Sequence, residues 1–226
     1  VIEPAAERRP LWLGLVIAVL LGIGLGLLSV VGDFTTDDGP EILLNALANA
    51  MGPWVVIAFV AGVAVGRPAA GIVGGVLALA VGVATYYVGA VVFWADRVPD
   101  LRLTVLVWMV VGLVAGSILG GAGGTWAGGE RRWRPLAAAL LSGALVAEAA
   151  YYARDLATCN CLDATRPALY VVIVNLGVAL AAPLLLVDAA GRVRTYLYAV
   201  GLAVGGYAAI VITFAAVRGS FSLVGG

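Results

Sequence analysis

Glu148 stands in the stretch SGALVAEAAYYARD, residues 142–155, an acid inside an apolar run long enough to cross a membrane. An ionisable group at membrane depth costs at least about 2.5 kcal/mol on insertion scales, and it normally faces a protein interior or a wet cavity. On a helix, Glu148, Tyr151, Tyr152 and Asp155 fall at i, i+3, i+4 and i+7 and share one face. A carboxylate beside two phenols could accept a hydrogen bond or a cation, or titrate as a proton carrier, while the rings stack on an apolar or aromatic ligand. A structural account stands beside this one, with Glu148 neutral or paired with Arg154 near the interface.

Other polar side chains fall at the same depth. Counting from the expected helix ends, Tyr86, Tyr87, Tyr151 and Tyr152 share the level of Glu148, as do Asn45 and Asn49, an i, i+4 pair. Asn175 lies about two turns below the same end of its span. The opposite half is nearly all Ala, Val, Leu and Gly. That asymmetry is what an outward-opening pocket would look like, with Glu148, Tyr151, Tyr152, Tyr86, Tyr87, Asn45, Asn49 and Asn175 as its substrate-binding residues. The plainer readings are interfacial anchoring for the tyrosines and helix-to-helix hydrogen bonds for the asparagines.

Several chemistries are excluded. All 13 basic residues are Arg, and neither Lys nor His occurs, so there is no Schiff base, no His-ligated metal or haem and no Ser-His-Asp catalysis. No nucleophile sits beside a base, so no catalytic residue is assigned and the chain is read as a non-enzyme without a cofactor. Cys159 and Cys161 form a C-x-C pair in the longest outer loop, either a strained, reducible disulfide, two free thiols or an intermolecular bond. No metal site is expected there. The acidic loop from Asp33 to Glu41 lacks the EF-hand spacing. A formal net charge of zero argues against nucleic acid as a partner.

The elements that must hold these groups are set by composition. With 63% hydrophobic and 12% charged residues and a mean hydropathy of +1.08, the chain must dissolve in lipid. A helical span needs about 20 apolar residues. Runs of that length lie near 11–31, 43–66, 69–94, 103–127, 135–153, 168–187 and 195–217. The fold class expected is therefore all-α: a polytopic transmembrane bundle of about seven spans in one integral membrane domain, 1–226. The run after EPAAERRP is too long for a signal-peptide core and is read as the first span. Arg8, Arg9, Arg67, Arg131, Arg132, Arg134, Arg192 and Arg194 fall on the side where the chain starts, whereas Asp33, Asp37, Asp38, Glu41, Asp96, Asp100, Asp155 and Asp163 fall on the other, together with Arg97, Arg102, Arg154, Arg166 and Arg218. The Lys/Arg bias then places the N-terminus in the cytoplasm and the C-terminus outside.

WVVIAFVAG at 54–62 aligns with WMVVGLVAG at 108–116, and each is followed by a helix with a Tyr pair. This suggests a leading helix, 11–31, and two or three repeated hairpins: 43–94, 103–153 and, more faintly, 168–217. Gly14, Ala18, Gly22 and Gly26 recur every four residues in the first span, as do Gly112, Gly116, Gly120 and Gly124 in the fourth. Such stripes let helix backbones approach closely, within the chain or against a partner membrane subunit or second copy.

The segments NALANAMGPWVVIAFVAG, RPAAGIVGGVLALAVGVATYYVG, GLVAGSILG and ALLSGALVAEAAYY resemble a family of small bacterial membrane proteins catalogued as a domain of unknown function, number 6518. The resemblance implies a bacterial origin and a multi-pass place in the cytoplasmic (inner) membrane. It implies no activity. The chain is also similar in size and in its small-residue first helix to the substrate-binding subunits of energy-coupling-factor vitamin transporters, which need a partner for energy, and it has no phosphate-binding loop of its own. The leading expectation is a small-solute binding or transport protein with an outward pocket around Glu148, surrounded by membrane lipid. The alternative is a structural or assembly subunit packing through its Gly/Ala stripes.

Overall fold

The computed structural model describes residues 10–35, 41–94, 102–158 and 162–224, and among these the ordered elements are all helical. In chain order they are α1 (Leu11–Asp33), α2 (Ile42–Ala48), α3 (Gly52–Val65), α4 (Pro68–Trp94), α5 (Arg102–Gly128), α6 (Arg134–Thr158), α7 (Leu162–Leu186) and α8 (Ala189–Val224). Lipid offers backbone groups no hydrogen bonds, so a span must satisfy its own, and helices do this. Six of the eight are long and apolar enough to cross a membrane, and α2 with α3 makes a seventh candidate bent by 62°. This is the expected polytopic bundle.

One expected span is not continuous. The second run, 43–66, is apolar throughout but breaks at Asn49–Met51. Pro53, in the first turn of α3, has no N–H to give and its ring clashes with the carbonyl four residues back, which lies on Asn49. Pro suits a helix start, so the same residue ends one helix and opens the next. A second difference concerns the loop expected over 154–167. There α6 runs on to Thr158 and α7 starts at Leu162, and Cys159 and Cys161 lie outside the described residues.

α3 occupies the middle, touching α1, α4, α5 and α6, while α6 lies against both α7 and α8. Its Phe59 packs with Ala122 of α5, Leu141 and Leu145 of α6 and Ala179 of α7. The glycine stripes are spent within this bundle. An added Cβ at Gly22 would lie 2.3 Å from the Ala78 carbonyl oxygen of α4, and one at Gly120 would lie 2.3 Å from that of Gly71. α1 thus seats on α3 and α4, and α5 on the other side of the same pair. Helices of the suggested hairpins pack unequally: α3 lies along α4, but α7 scarcely touches α8.

Three turns meet at one end, which carries most of the described arginines. Gly66 closes α3 in the left-handed region (φ 72°), which makes the two-residue turn to Pro68 feasible. That turn sits on α5, because a Cβ at Gly128 would lie 1.9 Å from the Gly66 carbonyl oxygen. Trp126 donates to the Leu186 carbonyl at the end of α7 (2.7 Å), and Arg192 donates to those of Val187 and Leu184. Arg131 and Asp188 form an exposed ion pair at 2.7 Å. The Arg131 guanidinium, then the Gly191 N–H, hold the Asp188 carboxyl below its usual range.

Candidate functional site

The break between α2 and α3 creates a chemical demand. A helix start leaves its first N–H groups without partners and carries a partial positive charge, and neither can be left bare inside a membrane. Glu148 of α6 meets that demand. Its Oε1 accepts from the Met51 N–H, the Gly52 N–H also donates to the carboxylate, and Oε2 accepts from Asn175 Nδ2 of α7 at 2.8 Å. Only 3% of Glu148 and 2% of Asn175 is exposed. At 1.5 Å per residue Glu148 lies roughly 21 Å along α6 from Arg134, well inside the bilayer span.

Gly52 is part of this knot. A Cβ there would lie 2.3 Å from Asn175 Oδ1 and 3.1 Å from Glu148 Oε2, so only glycine lets the carboxylate reach the backbone. The rings of Tyr151 and Tyr152 meet edge-on with centroids 5.7 Å apart. Tyr152 packs by Ala46, Ala50 and Val171, bracing α2 against α6 and α7, while Tyr151 packs by Ala147 and Ile210. Arg154 does not pair with Glu148. It is exposed and donates to the Tyr207 hydroxyl at 3.2 Å.

The eight residues expected around one pocket separate into two groups. Glu148, Asn175, Tyr151 and Tyr152 come together at the helix break. The others gather at the end of α1: Tyr86 donates to Asp33 at 2.8 Å, its ring meets Tyr87 edge-on at 5.0 Å, and Asn45 donates to the Gly32 carbonyl at 3.2 Å. Asn49 turns back to the Asn45 carbonyl of its own helix. The split follows from the bend, which aims the Asn45 side chain at α1 rather than at α6. The residues missing from the sequence reading are Met51 and Gly52, which act through backbone N–H groups. The Gly-Pro pair at 52–53 was the available signal, since it marks a helix start inside an apolar run.

Beside the knot lies a lateral cleft of about 390 Å³ between α1 and α7, which make at most slight contact with each other. Leu20, Gly24 and Leu28 of α1 form one wall, Val174 and Val178 of α7 the other, and Leu47 of α2 the end wall. Its floor is Gly52, Pro53, Val56 and Ile57 of α3, with Asn175 as the single strongly polar contributor. No tyrosine lines it, so the aromatic-walled pocket of the sequence reading is replaced here by an aliphatic one. Among the described residues no cluster of three or more Cys, Asp or Glu could hold a metal ion.

The model of a family of unknown function, DUF6518, matches residues 5–219, and the chain belongs to that family. Neither the curated proteins nor the solved structures contain a match.

Proposed function

Since membership of a family of unknown function carries no activity with it, we propose on the geometry that this membrane protein binds a small lipophilic solute in the cleft between α1 and α7. The observation that carries the reading is the floor of the cleft. A membrane-buried helix break marks the solute site in many carriers, where a half-helix start faces an anionic group of the solute. Here the protein's own Glu148 fills that position, so an anionic solute has no place to bind. What remains open is aliphatic, with the Asn175 amide at its edge. The volume lies within the range of small-ligand sites, about 300–1,000 Å³. A solute that is mostly hydrocarbon with one hydrogen-bonding group fits this lining, and it would enter sideways from the lipid. Transport would then require the α2/α3 bend to move, with Glu148 as its anchor.

Gly24 provides the test. It lines the cleft, and an added Cβ there meets nothing within 4 Å. Gly24→Leu should therefore fold normally and fill the site. Native mass spectrometry of gently solubilised wild type is expected to show a discrete bound non-protein mass that Gly24→Leu lacks at unchanged thermal stability. Equal retention by both proteins, or none by either, would reject the binder.

A second reading, as an assembly subunit, rests on α8. The stripes of α1 and α5 are used internally, but Gly201, Gly205 and Ala209 of α8 are exposed at four-residue spacing, and Cβ atoms at the two glycines would meet nothing. Such a face suits a partner helix. A dimer or a co-purifying subunit in the same spectra would support it.

A further inference from the structure

We infer that the arginine-rich end of the bundle holds an anionic phospholipid in a site separate from the α1/α7 cleft. A cavity of about 630 Å³ lies where α4 begins, α5 ends and α6 begins, bounded by Pro68, Thr125, Gly128, Trp133, Leu136 and Leu140. Its lining changes character with depth. Glu130, Trp133 and Pro68 stand at the helix ends, while Leu140 lies six residues into α6, roughly 9 Å deeper at the helical rise. Headgroup chemistry at the rim and hydrocarbon below is the profile of a lipid, and half-exposed Trp133 is of the type that sits at that boundary.

Charge selects the kind of lipid. Glu130 is the acid in the lining, and it is paired with Arg132 at 2.7 Å, while Arg131 is paired with Asp188. The Arg132 guanidinium also lies over the Trp133 ring, 5.4 Å from its centroid. Among the arginines that adjoin lining residues, this leaves Arg67 and Arg134 as surplus. Arg67 adjoins Pro68, is exposed and has no ion pair among the described residues. Arg134 follows Trp133, and its Nε is buried without a hydrogen-bond partner among the described residues. The starts of α4 and α6 at Pro68 and Arg134 and the ends of α3 and α5 at Val65 and Gly128 bring opposed helix dipoles to this rim, so the arginines set its sign. A phosphate with net negative charge satisfies this surplus, and a zwitterionic headgroup brings its own cation against it.

The probe is the full chain in nanodiscs containing phosphatidylglycerol and phosphatidylcholine in equal amounts, released and weighed by native mass spectrometry. Wild type is expected to retain one phosphatidylglycerol in preference to phosphatidylcholine. Arg67→Gln should lower that preference about fivefold, the weight of one basic residue at an anionic surface. Arg194→Gln, an exposed arginine of α8 that, unlike Arg67, adjoins no lining residue, should leave it unchanged. Leu140→Trp, which fills the deep part, should release either lipid. No preference in wild type, or equal losses for Arg67→Gln and Arg194→Gln, would overturn the site in favour of general surface charge.

Discussion

Glu148 caps a helix from a distance. The carboxylate does for α3 what a local Ser or Asp does at an ordinary helix start, but it comes from α6 and brings Asn175 of α7 with it. Removing it strands buried donors, and each donor left unmet inside a protein costs about 1 to 3 kcal/mol. Glu148→Ala should accordingly lower the thermal stability of the purified protein strongly. Glu148→Gln, which keeps one acceptor oxygen but places an amide donor against other donors, should fall between it and wild type. Thermal unfolding in one detergent checks the order, and an alanine variant as stable as wild type would return Glu148 to the role of a ligand contact. The importance of this residue was legible in the sequence because an acid at membrane depth has few explanations. Asn175 was named with it, but the Met51 and Gly52 N–H groups were not, since a one-letter sequence marks a helix start only indirectly, through the Gly-Pro pair.

Elements were read well where apolar length decided them and poorly where a bend did. Runs of about 20 apolar residues located the spans, because lipid leaves the backbone little choice but helix. The same criterion hid the break in 43–66, where hydropathy stays high through the bend and only the Gly52-Pro53 pair marks it. The glycine stripes were visible as spacing, but which helix each one meets depends on the fold. Gly62 of α3 shows how close that meeting is, since its Cβ would lie 2.0 Å from the Gly120 carbonyl oxygen of α5, whereas Gly177 of α7 faces open space. Gly62→Ala should push α3 from α5 and cost about 1 to 3 kcal/mol, the usual penalty for overpacking. Gly177→Ala should be neutral or gain up to about 1 kcal/mol from helix propensity. Equal stabilities for the two variants would mean that α3 and α5 do not meet backbone to backbone at Gly62.

Whether α2 with α3 crosses the membrane or dips into it and returns decides the topology of the whole molecule. The turn at Gly66–Arg67 answers this: it packs on Gly124 and Gly128 at the end of α5, beside the Arg131–Asp188 pair that joins the α5/α6 and α7/α8 turns. Gly14 near the start of α1 meets Val65 at the end of α3, and Gly89 near the end of α4 meets Val30 near the end of α1, so α4 starts at the end where α1 starts, whereas a re-entrant segment would leave it starting where α1 ends. The bent pair therefore runs from one end of the bundle to the other and stands as a seventh candidate span beside the six. Arginines at the α3/α4, α5/α6 and α7/α8 turns then share one face, against Arg102, Arg154 and Arg166 on the other. On the Lys/Arg bias the richer face is expected to be the cytoplasmic one. In a variant with Cys159 and Cys161 changed to Ser, an impermeant maleimide should label Glu41→Cys in intact cells and Glu130→Cys only after permeabilisation. Both replaced residues are exposed and lie at opposite ends of the bundle, so neither burial nor depth can mimic the result. Labelling of both from outside would mean that the bent pair does not cross. The reverse pattern would keep seven spans and invert the protein.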